Sequence, residues 1–275
     1  QRITSLIGTR LYSDDRDGNL TLREGTQTRI RLTGDRFGRW LSTLPGEAGA
    51  SLRIGLVGRE ADHRLVYPAT LGSLGDAASA LGFDLDVHFL PPAELSDGLQ
   101  ELDALHGVVL PGGASMAAVN GQIRVAQATL ARRLPTLGLC LGMQSMMTAA
   151  VRQSVGFEQA ILAEVEPDAA HHSFVAFADG RHRCGVLPFT STLLPGNTAH
   201  MHYNHRYRFN PQFLPQLAAS GVQISAQTDD IVEGISLPEH PFWHGVQGHP
   251  ELMSRPGAPH PLFTALLLTA LSAQG

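Results

Sequence analysis

The sequence predicts an α/β fold in which a doubly wound, mostly parallel β-sheet carries helices on both faces. Two observations predict this class. Short apolar runs, suited to strands buried on both faces, recur from residue 52 onward. Stretches in which apolar residues repeat with helical spacing separate these runs. Because active sites of such sheets lie beyond the carboxyl ends of parallel strands, the residues that follow each run are the first candidates for function.

The predicted elements alternate along the chain. Strands are predicted at residues 54–58, 85–90, 108–110 and 135–139, and helices at residues 70–81, 123–134 and 261–273. Before them, residues 20–22 and 30–32 alternate apolar with polar side chains around Gly25, a pattern typical of a β-hairpin, and residues 44–50 resemble a linker. We therefore expect an N-terminal extension at residues 1–50 and a main domain at residues 51–275.

The composition excludes several classes of function. A net charge of −5 argues against a nucleic-acid partner, which would need clustered positive charge. All 20 basic residues are arginine, so no lysine can hold a phosphate or form a Schiff base. The two cysteines, Cys140 and Cys184, are expected to be thiols in a reducing compartment. No signal peptide or membrane-spanning segment is evident, so we expect a cytoplasmic protein without a membrane partner.

Cys140 is the candidate nucleophile. It follows a predicted strand in the pattern glycine, any residue, nucleophile, any residue, glycine, which runs from Gly138 to Gly142. This pattern is typical of a sharp strand-to-helix turn that exposes a nucleophile. The positive end of the following helix favours a thiolate, and backbone N–H groups at the turn can bind an oxyanion. A buried structural cysteine between two glycines is the alternative.

Two further motifs lie at predicted strand ends. Gly112 and Gly113 follow the third strand, where a backbone without side chains can approach a substrate carbonyl; an ordinary turn is the alternative. His249 and Glu251 follow the apolar residues 243–246, and they can serve as a base and its orienting acid. Because the chain has 13 histidines, the combination with Cys140, rather than the histidine alone, predicts a catalytic triad.

Together, these motifs resemble the class I, triad-type glutamine amidotransferases, and within that family the glutaminase domain of CTP synthases. The resemblance covers residues 53 to about 271. It is carried by residues 54–58 (IGLVG), 110–113 (LPGG), 137–144 (LGLCLGMQ), 205–207 (HRY), 246–251 (VQGHPE) and 260–263 (HPLF). It implies Cys140 as nucleophile, His249 as base and Glu251 as orienting acid. It also implies oxyanion N–H groups from Gly112 or Gly113 with Leu141, and glutamine binding by Gln144, Glu164 and Arg206.

Three departures from the family pattern carry consequences. The lysine-containing phosphate loop of a synthetase is missing, so this chain alone is not expected to activate a nucleotide. Gly248 stands where the family has a phenylalanine before the histidine, and we expect the lost ring to widen the pocket. The segment after Gly113 holds Ala117 and Asn120 where the family has charged residues. Because no charged side chain lies between Gly113 and Arg124, we expect GTP not to stimulate ammonia release, which a GTP titration measures.

The sequence therefore predicts a stand-alone glutamine amidohydrolase that needs no metal or cofactor. It would release ammonia from L-glutamine for a separate ATP-dependent synthetase subunit. One alternative is a hydrolase or transferase that acts on another γ-glutamyl amide, and a second is a non-catalytic homologue that binds a partner. For Glu164 the alternative is a solvated surface acid, and for Arg206 a surface cation.

Overall fold

The structure is a computed structural model that describes residues 29–34, 40–43, 52–82, 84–113, 115–194 and 198–273. Its strands are β1 (Arg29–Gly34), β2 (Trp40–Thr43), β3 (Leu52–Val57), β4 (Leu85–Leu90), β5 (Gly107–Leu110), β6 (Thr136–Leu139), β7 (Phe174–Ala176), β8 (Arg183–Pro188), β9 (His200–His205), β10 (Tyr207–Phe209), β11 (Gln223–Thr228), β12 (Ile231–Ser236) and β13 (Trp243–Val246). Its α-helices are α1 (Pro68–Leu81), α2 (Val119–Arg132), α3 (Leu141–Val151), α4 (Leu214–Ala219) and α5 (Pro261–Ser272). Short 3₁₀ turns include Met116–Ala118 and Pro250–Leu252.

The chain divides into two compact units. The first holds the described residues up to Val109 and those from Pro250 onward. Its strands are ordered β5-β3-β4-β1-β2, and β3 pairs in parallel with both β4 and β5. Every residue of β4 is buried, and α1 packs against α5. Apolar side chains of β3, α1 and α5 therefore form the core of this unit, as expected from the apolar run in β3 and the helical spacing of apolar residues in α1.

Both helices of the first unit begin and end at residues suited to those positions. Pro68 and Pro261 occupy first turns, where a missing N–H costs nothing. Gly82 ends α1 in the left-handed conformation, with φ of 77°. The His260 ring caps α5 by accepting a hydrogen bond from the Leu262 N–H at 3.2 Å.

The second unit, Leu110–His249, contains the candidate site. Its main strands are ordered β11-β12-β13-β6, with β13 parallel to β6 so that Val246 lies beside Leu139. Two small antiparallel ribbons, β7 with β10 and β8 with β9, complete the unit. Helices α2 and α3 pack on each other, and every residue of α3 is buried. This burial makes α3, which begins directly after Cys140, a rigid support for the site.

The predicted α/β class and its doubly wound, mostly parallel sheet are confirmed, and the outermost pairs, β1 with β2 and β11 with β12, are antiparallel. Residues 30–32 lie in β1, whose described partners are β2 and β4. The other half of the predicted hairpin, residues 20–22, and the predicted linker at 44–50 lie outside the described residues. The boundary at residue 50 stays a prediction. None of the described helices has the length and apolar character to cross a membrane.

Candidate active site

Cys140 occupies a sharp turn between β6 and α3. Its backbone adopts φ of 50° and ψ of −109°, a conformation that non-glycine residues rarely adopt and that costs about 1–3 kcal/mol. The Cys140 N–H donates to the Val246 carbonyl at 2.8 Å, which fixes the turn against β13. The thiol is free and half-buried. The predicted turn is therefore present, and its strain is of the kind that functional sites retain.

The two glycines of the turn are required by close approach. A Cβ atom on Gly138 would lie 2.4 Å from the Met146 sulfur and 2.9 Å from the Gly142 carbonyl carbon. A Cβ atom on Gly142 would lie 1.9 Å from the Leu110 carbonyl oxygen. Gly138 is therefore required by the turn itself, as expected from the sequence. Gly142 is required by its close contact with Leu110 at the end of β5, which the sequence pattern did not reveal.

Gly112 lies between the candidate nucleophile and the candidate base. A Cβ atom built on Gly112 would lie 3.0 Å from Cys140 Cβ and 3.0 Å from His249 Cε1. The thiol and the imidazole therefore border the same small volume. His249 is half-buried, and its N–H donates to the His202 carbonyl at 2.7 Å, which ties the residue to β9. Gly113 follows with φ of 71°.

Six of the predicted site residues line one pocket of about 280 Å³. These are Gly113, Cys140, Leu141, Gln144, Glu164 and Arg206. The other lining residues are Met116, His182, Asn204, His205 and Tyr207. Since Gly112 and His249 border Cys140, eight of the nine predicted residues lie in or beside one cavity of the second unit.

The ninth residue, Glu251, belongs to the first unit. It lies in the 3₁₀ turn Pro250–Leu252, and its side chain is buried. The Ser73 hydroxyl donates to the Glu251 carbonyl oxygen at 3.2 Å, which fixes the backbone of this residue to α1. Its action on the His249 imidazole stays a prediction.

The pocket carries side chains of opposite charge. Partial burial raises the pKa of the Glu164 carboxyl, although the residue as a whole remains exposed. Arg206 is also exposed and forms no salt bridge with any described residue, so its guanidinium is available to a ligand. A carboxylate and a guanidinium around one cavity suit a ligand that carries both an ammonium and a carboxylate group. In the described part of the chain, no three His, Cys, Asp or Glu residues are grouped so that they could hold a metal ion.

Gln247 is a site residue that we did not predict from the sequence. It is 1% exposed, and its side-chain N–H donates to the Cys140 sulfur at 3.6 Å. Its carbonyl oxygen accepts a hydrogen bond from the Gln144 amide at 3.2 Å. Gln247 lies two residues before His249, so the alternation of side chains at a strand end was the available signal.

A buried polar cluster, which we also did not predict from the sequence, lies beside the pocket. The Arg183 guanidinium pairs with the Glu233 carboxylate, which is 0% exposed, and it donates to His205 Nε2 at 3.1 Å. His205 in turn donates from Nδ1 to the Tyr207 carbonyl at 2.8 Å. Burial, with smaller contributions from the charges of Arg183 and His249, lowers the pKa of His205 to about 4. His205 is therefore a neutral ring that joins the buried ion pair to the segment that contains Arg206.

Acid is expected to destabilise the protein through two buried histidines and one that is half-buried. Burial lowers the pKa of each of His205, His244 and His260 to about 4. The unfolded chain binds these protons near pH 6.5, so the stability is full above that pH and falls as the pH drops toward 4. Each histidine contributes about 1.4 kcal/mol per pH unit in that window. Urea denaturation between pH 4 and 7 measures the slope.

A matched variant separates one histidine from the rest. His260→Asn removes the titrating ring but keeps a side chain that caps helices well. We expect its pH slope to be smaller by the contribution of one histidine. An identical slope in the variant would contradict this assignment.

The expected widening of the pocket at Gly248 is wrong. A Cβ atom on Gly248 would lie 2.1 Å from Met201 Cγ and 2.9 Å from the His202 carbonyl oxygen. Met201 is itself 0% exposed. Its side chain, in β9, occupies the space into which a side chain at position 248 would begin. The missing ring therefore adds no room for a larger substrate.

Comparisons with known proteins agree with this geometry. Residues 73–268 match the model of the family Glutamine amidotransferase class-I. CTP synthase from Coprothermobacter proteolyticus is 32% identical over 275 aligned positions, which cover 90% of this chain and 49% of that protein. CTP synthase from Synechococcus sp. strain WH7803 is 34% identical over 243 positions, which cover 81% of this chain and 44% of that protein. The chain thus spans about half the length of these curated relatives.

A solved structure supports the same relationship. The glutaminase domain of Trypanosoma brucei CTPS with bound acivicin matches with a TM-score of 0.74 and 25% sequence identity. The match covers 81% of this chain and 94% of that domain. The part of the CTP synthases that this chain resembles is therefore the glutaminase part. With a family match over most of its length, the chain belongs to the class I glutamine amidotransferase family.

Proposed function

We propose that the chain is a cysteine-dependent glutaminase, which converts L-glutamine and water to glutamate and ammonia through a γ-glutamyl thioester on Cys140. One observation carries the proposal. Cys140 and His249 border the same glycine beside a pocket that also holds Gln144, Glu164 and Arg206. Membership of the amidotransferase family supports this reading.

The proposed chemistry has two halves. His249 takes the Cys140 thiol proton as the sulfur attacks the γ-carbonyl carbon, and backbone N–H groups of Gly112 or Gly113 and of Leu141 bind the oxyanion. The C–N bond then breaks, and His249 gives the proton to the leaving nitrogen, which departs as ammonia. In the second half, water loses a proton to His249 and attacks the thioester, which releases glutamate and restores the thiol. Glu251 orients and stabilises the imidazolium.

The substrate's α-amino acid group is assigned to the charged residues of the pocket. Arg206 pairs with the α-carboxylate and Glu164 with the α-ammonium, because charge-assisted hydrogen bonds are the strongest available. The raised pKa of Glu164 reports partial burial, and an ammonium partner would favour the ionised carboxylate. Gln144, 4% exposed and one helical turn after Cys140, offers its amide to the bound ligand.

The ammonia would be used by an ATP-dependent synthetase that lies outside the 275 residues of this chain. The motive is that the curated relatives are CTP synthases, of which this chain spans about half the length. The absence of lysine from the 275 residues fits a division of labour, because a phosphate loop requires that residue. A cytoplasmic location belongs to the same proposal.

Neither alternative gains support from the site. A larger γ-glutamyl amide was favoured by the space expected at Gly248, and Met201 fills that space. A binding module without activity has no need for a strained cysteine beside a histidine. Glutamine hydrolysis therefore remains the function that the geometry supports best.

Ammonia release from L-glutamine tests the proposal, with L-asparagine and γ-glutamyl-methylamide as comparison substrates. We expect the primary amide of glutamine to be hydrolysed fastest, and the glutamate formed to equal the ammonia. A diazo-ketone analogue of glutamine should attach covalently to Cys140, which mass spectrometry locates. A faster reaction with the methylamide would favour the alternative hydrolase. Labelling at Cys184 alone would contradict the proposal.

Replacement of Arg206 by alanine is expected to raise the KM for glutamine about ten- to hundredfold, since a charge-assisted pair contributes about 1.5–3 kcal/mol. The thermal unfolding midpoint should not change, because Arg206 is exposed and pairs with no described residue. The KM is measured from the steady-state rate of ammonia release as a function of glutamine concentration. The control is Arg181→Ala, which removes an exposed arginine paired with Asp179 at 2.7 Å. Equal KM values for the two variants would make Arg206 an ordinary surface cation.

A further inference from the structure

We propose that Gln247 is a catalytic residue, whose side-chain N–H stabilises the Cys140 thiolate. The contact is direct, because Gln247 Nε2 lies 3.6 Å from the Cys140 sulfur. A hydrogen bond to an ionised acceptor favours the charged form of that acceptor. The proposal rests on the proposed glutaminase activity for its catalytic meaning, but the contact itself can be tested without any substrate.

The position of Gln247 is fixed from two sides. Its backbone N–H donates to the Glu233 carbonyl at 2.8 Å, which holds the end of β13 against β12. Its side-chain oxygen accepts from Gln144 Nε2 at 3.2 Å. Because Gln144 occupies that oxygen, the Gln247 amide nitrogen is the atom left to face the sulfur. An amide that is 1% exposed and held in this way is preorganised and loses little entropy when the thiolate forms.

The arrangement divides the labour between two donors. His249 must surrender and regain a proton during the reaction, so its bond to sulfur is present in only part of the cycle. The Gln247 amide cannot transfer its proton at neutral pH. It therefore supplies a constant stabilisation of negative charge on sulfur, both before attack and when the thioester breaks.

Gln144 links this donor to the substrate pocket. It lines the cavity and also donates to Gln247. A ligand that competes for the Gln144 amide would loosen the Gln247 side chain, whereas a ligand that uses the other Gln144 atoms would leave it in place. Gln247 donates to the sulfur, whereas Gln144 anchors Gln247 and lines the pocket, so substitutions at the two positions should have different effects.

The test is alkylation of Cys140 by iodoacetamide as a function of pH, in a Cys184→Ala background so that one thiol reacts. Gln247→Met preserves volume and removes the donor. We expect the pH midpoint of alkylation to rise by about one unit or more, as expected for a lost hydrogen bond to a charged group. Gln247→Glu, which keeps an acceptor for Gln144 but places a carboxylate beside the sulfur, should raise it at least as far.

Gln144→Met is the matched control. It leaves the Gln247 donor present but removes one of its two anchors, so we expect a clearly smaller rise of the alkylation midpoint than in Gln247→Met, while the KM for glutamine rises. An unchanged midpoint in Gln247→Met, with a native thermal unfolding midpoint, would overturn the proposal. An equal shift in Gln144→Met would overturn it too, because the pair would then act through packing. If the wild type hydrolyses no glutamine but the Gln247 shift is present, the glutaminase proposal fails and the thiolate donor stands.

Discussion

Replacement of Cys140 by alanine is expected to lower the rate of ammonia release from glutamine by on the order of 10⁴-fold or more, because loss of a nucleophile removes the covalent route entirely. The substitution is structurally mild. Alanine keeps the Cβ atom, so the cost of φ at 50° is unchanged and the turn between β6 and α3 should persist. Initial rates at saturating glutamine, with circular dichroism as a check of folding, measure the effect.

Cys184 provides the matched control. It is the other cysteine of the chain, is exposed, and lies in β8, outside the lining of the pocket. Cys184→Ala should therefore retain wild-type rates. Appreciable turnover by folded Cys140→Ala would show that this thiol is not the nucleophile, and a comparable loss in Cys184→Ala would point to a general effect on the fold.

The second large effect is expected at the buried ion pair of Arg183 and Glu233. Glu233 is 0% exposed and the Arg183 side chain is 10% exposed. Glu233→Gln would leave the guanidinium without its counter-charge in a dry environment, and we expect a loss of about 3–5 kcal/mol in the free energy of unfolding. Replacing both residues, as Arg183→Met with Glu233→Gln, should recover most of that loss, since the unpaired charge disappears.

Chemical denaturation of these two variants and of the control Asp230→Asn measures the differences. The pair of Arg208 and Asp230, at 3.0 Å with the Asp230 side chain 74% exposed, is the control in the same unit. Asp230→Asn should cost no more than about 1 kcal/mol, because solvent screens an exposed pair. If Glu233→Gln costs as little as Asp230→Asn, the buried pair has no structural role and His205 must be held by other contacts.

Local patterns were sufficient to predict the elements that carry the nucleophile. The short, mostly apolar run of β6 and the spacing of glycines around Cys140 each constrain a short segment, so the sequence alone identified them. The same holds for α5, predicted from a run of apolar residues after His260. The residues assigned to glutamine binding came instead from resemblance to a family, because Glu164 and Arg206 have no local pattern that distinguishes them from surface charges.

Contacts between distant segments could not be predicted in this way. Arg183 and Glu233 are 50 positions apart, and they meet only because β8 and β12 come close together when the chain folds. A buried charge looks like a surface charge in a sequence, since its partner is defined by tertiary structure. The Gln247 amide reaches Cys140 across 107 positions for the same reason. At Gly248, the side chain that occupies the space belongs to Met201 in β9, 47 positions earlier in the chain.

Met201 occupies the space that a side chain at position 248 would need. The effect of a substitution at either position therefore depends on the residue at the other, so the two positions are an epistatic pair. Since a Cβ at 248 would lie 2.1 Å from Met201 Cγ, a phenylalanine there is excluded while that methionine keeps its buried place. A smaller residue at 201 without a larger one at 248 would leave a cavity, which is also costly. One arrangement has methionine at 201 with glycine at 248, and the other has a smaller residue at 201 with phenylalanine at 248. Evolution from one to the other therefore passes either through a destabilised protein or through a protein with glycine at 248 and a partly filled site. Homologues are expected to carry a bulky residue at one position or the other, so that the identity of residue 201 forecasts that of residue 248.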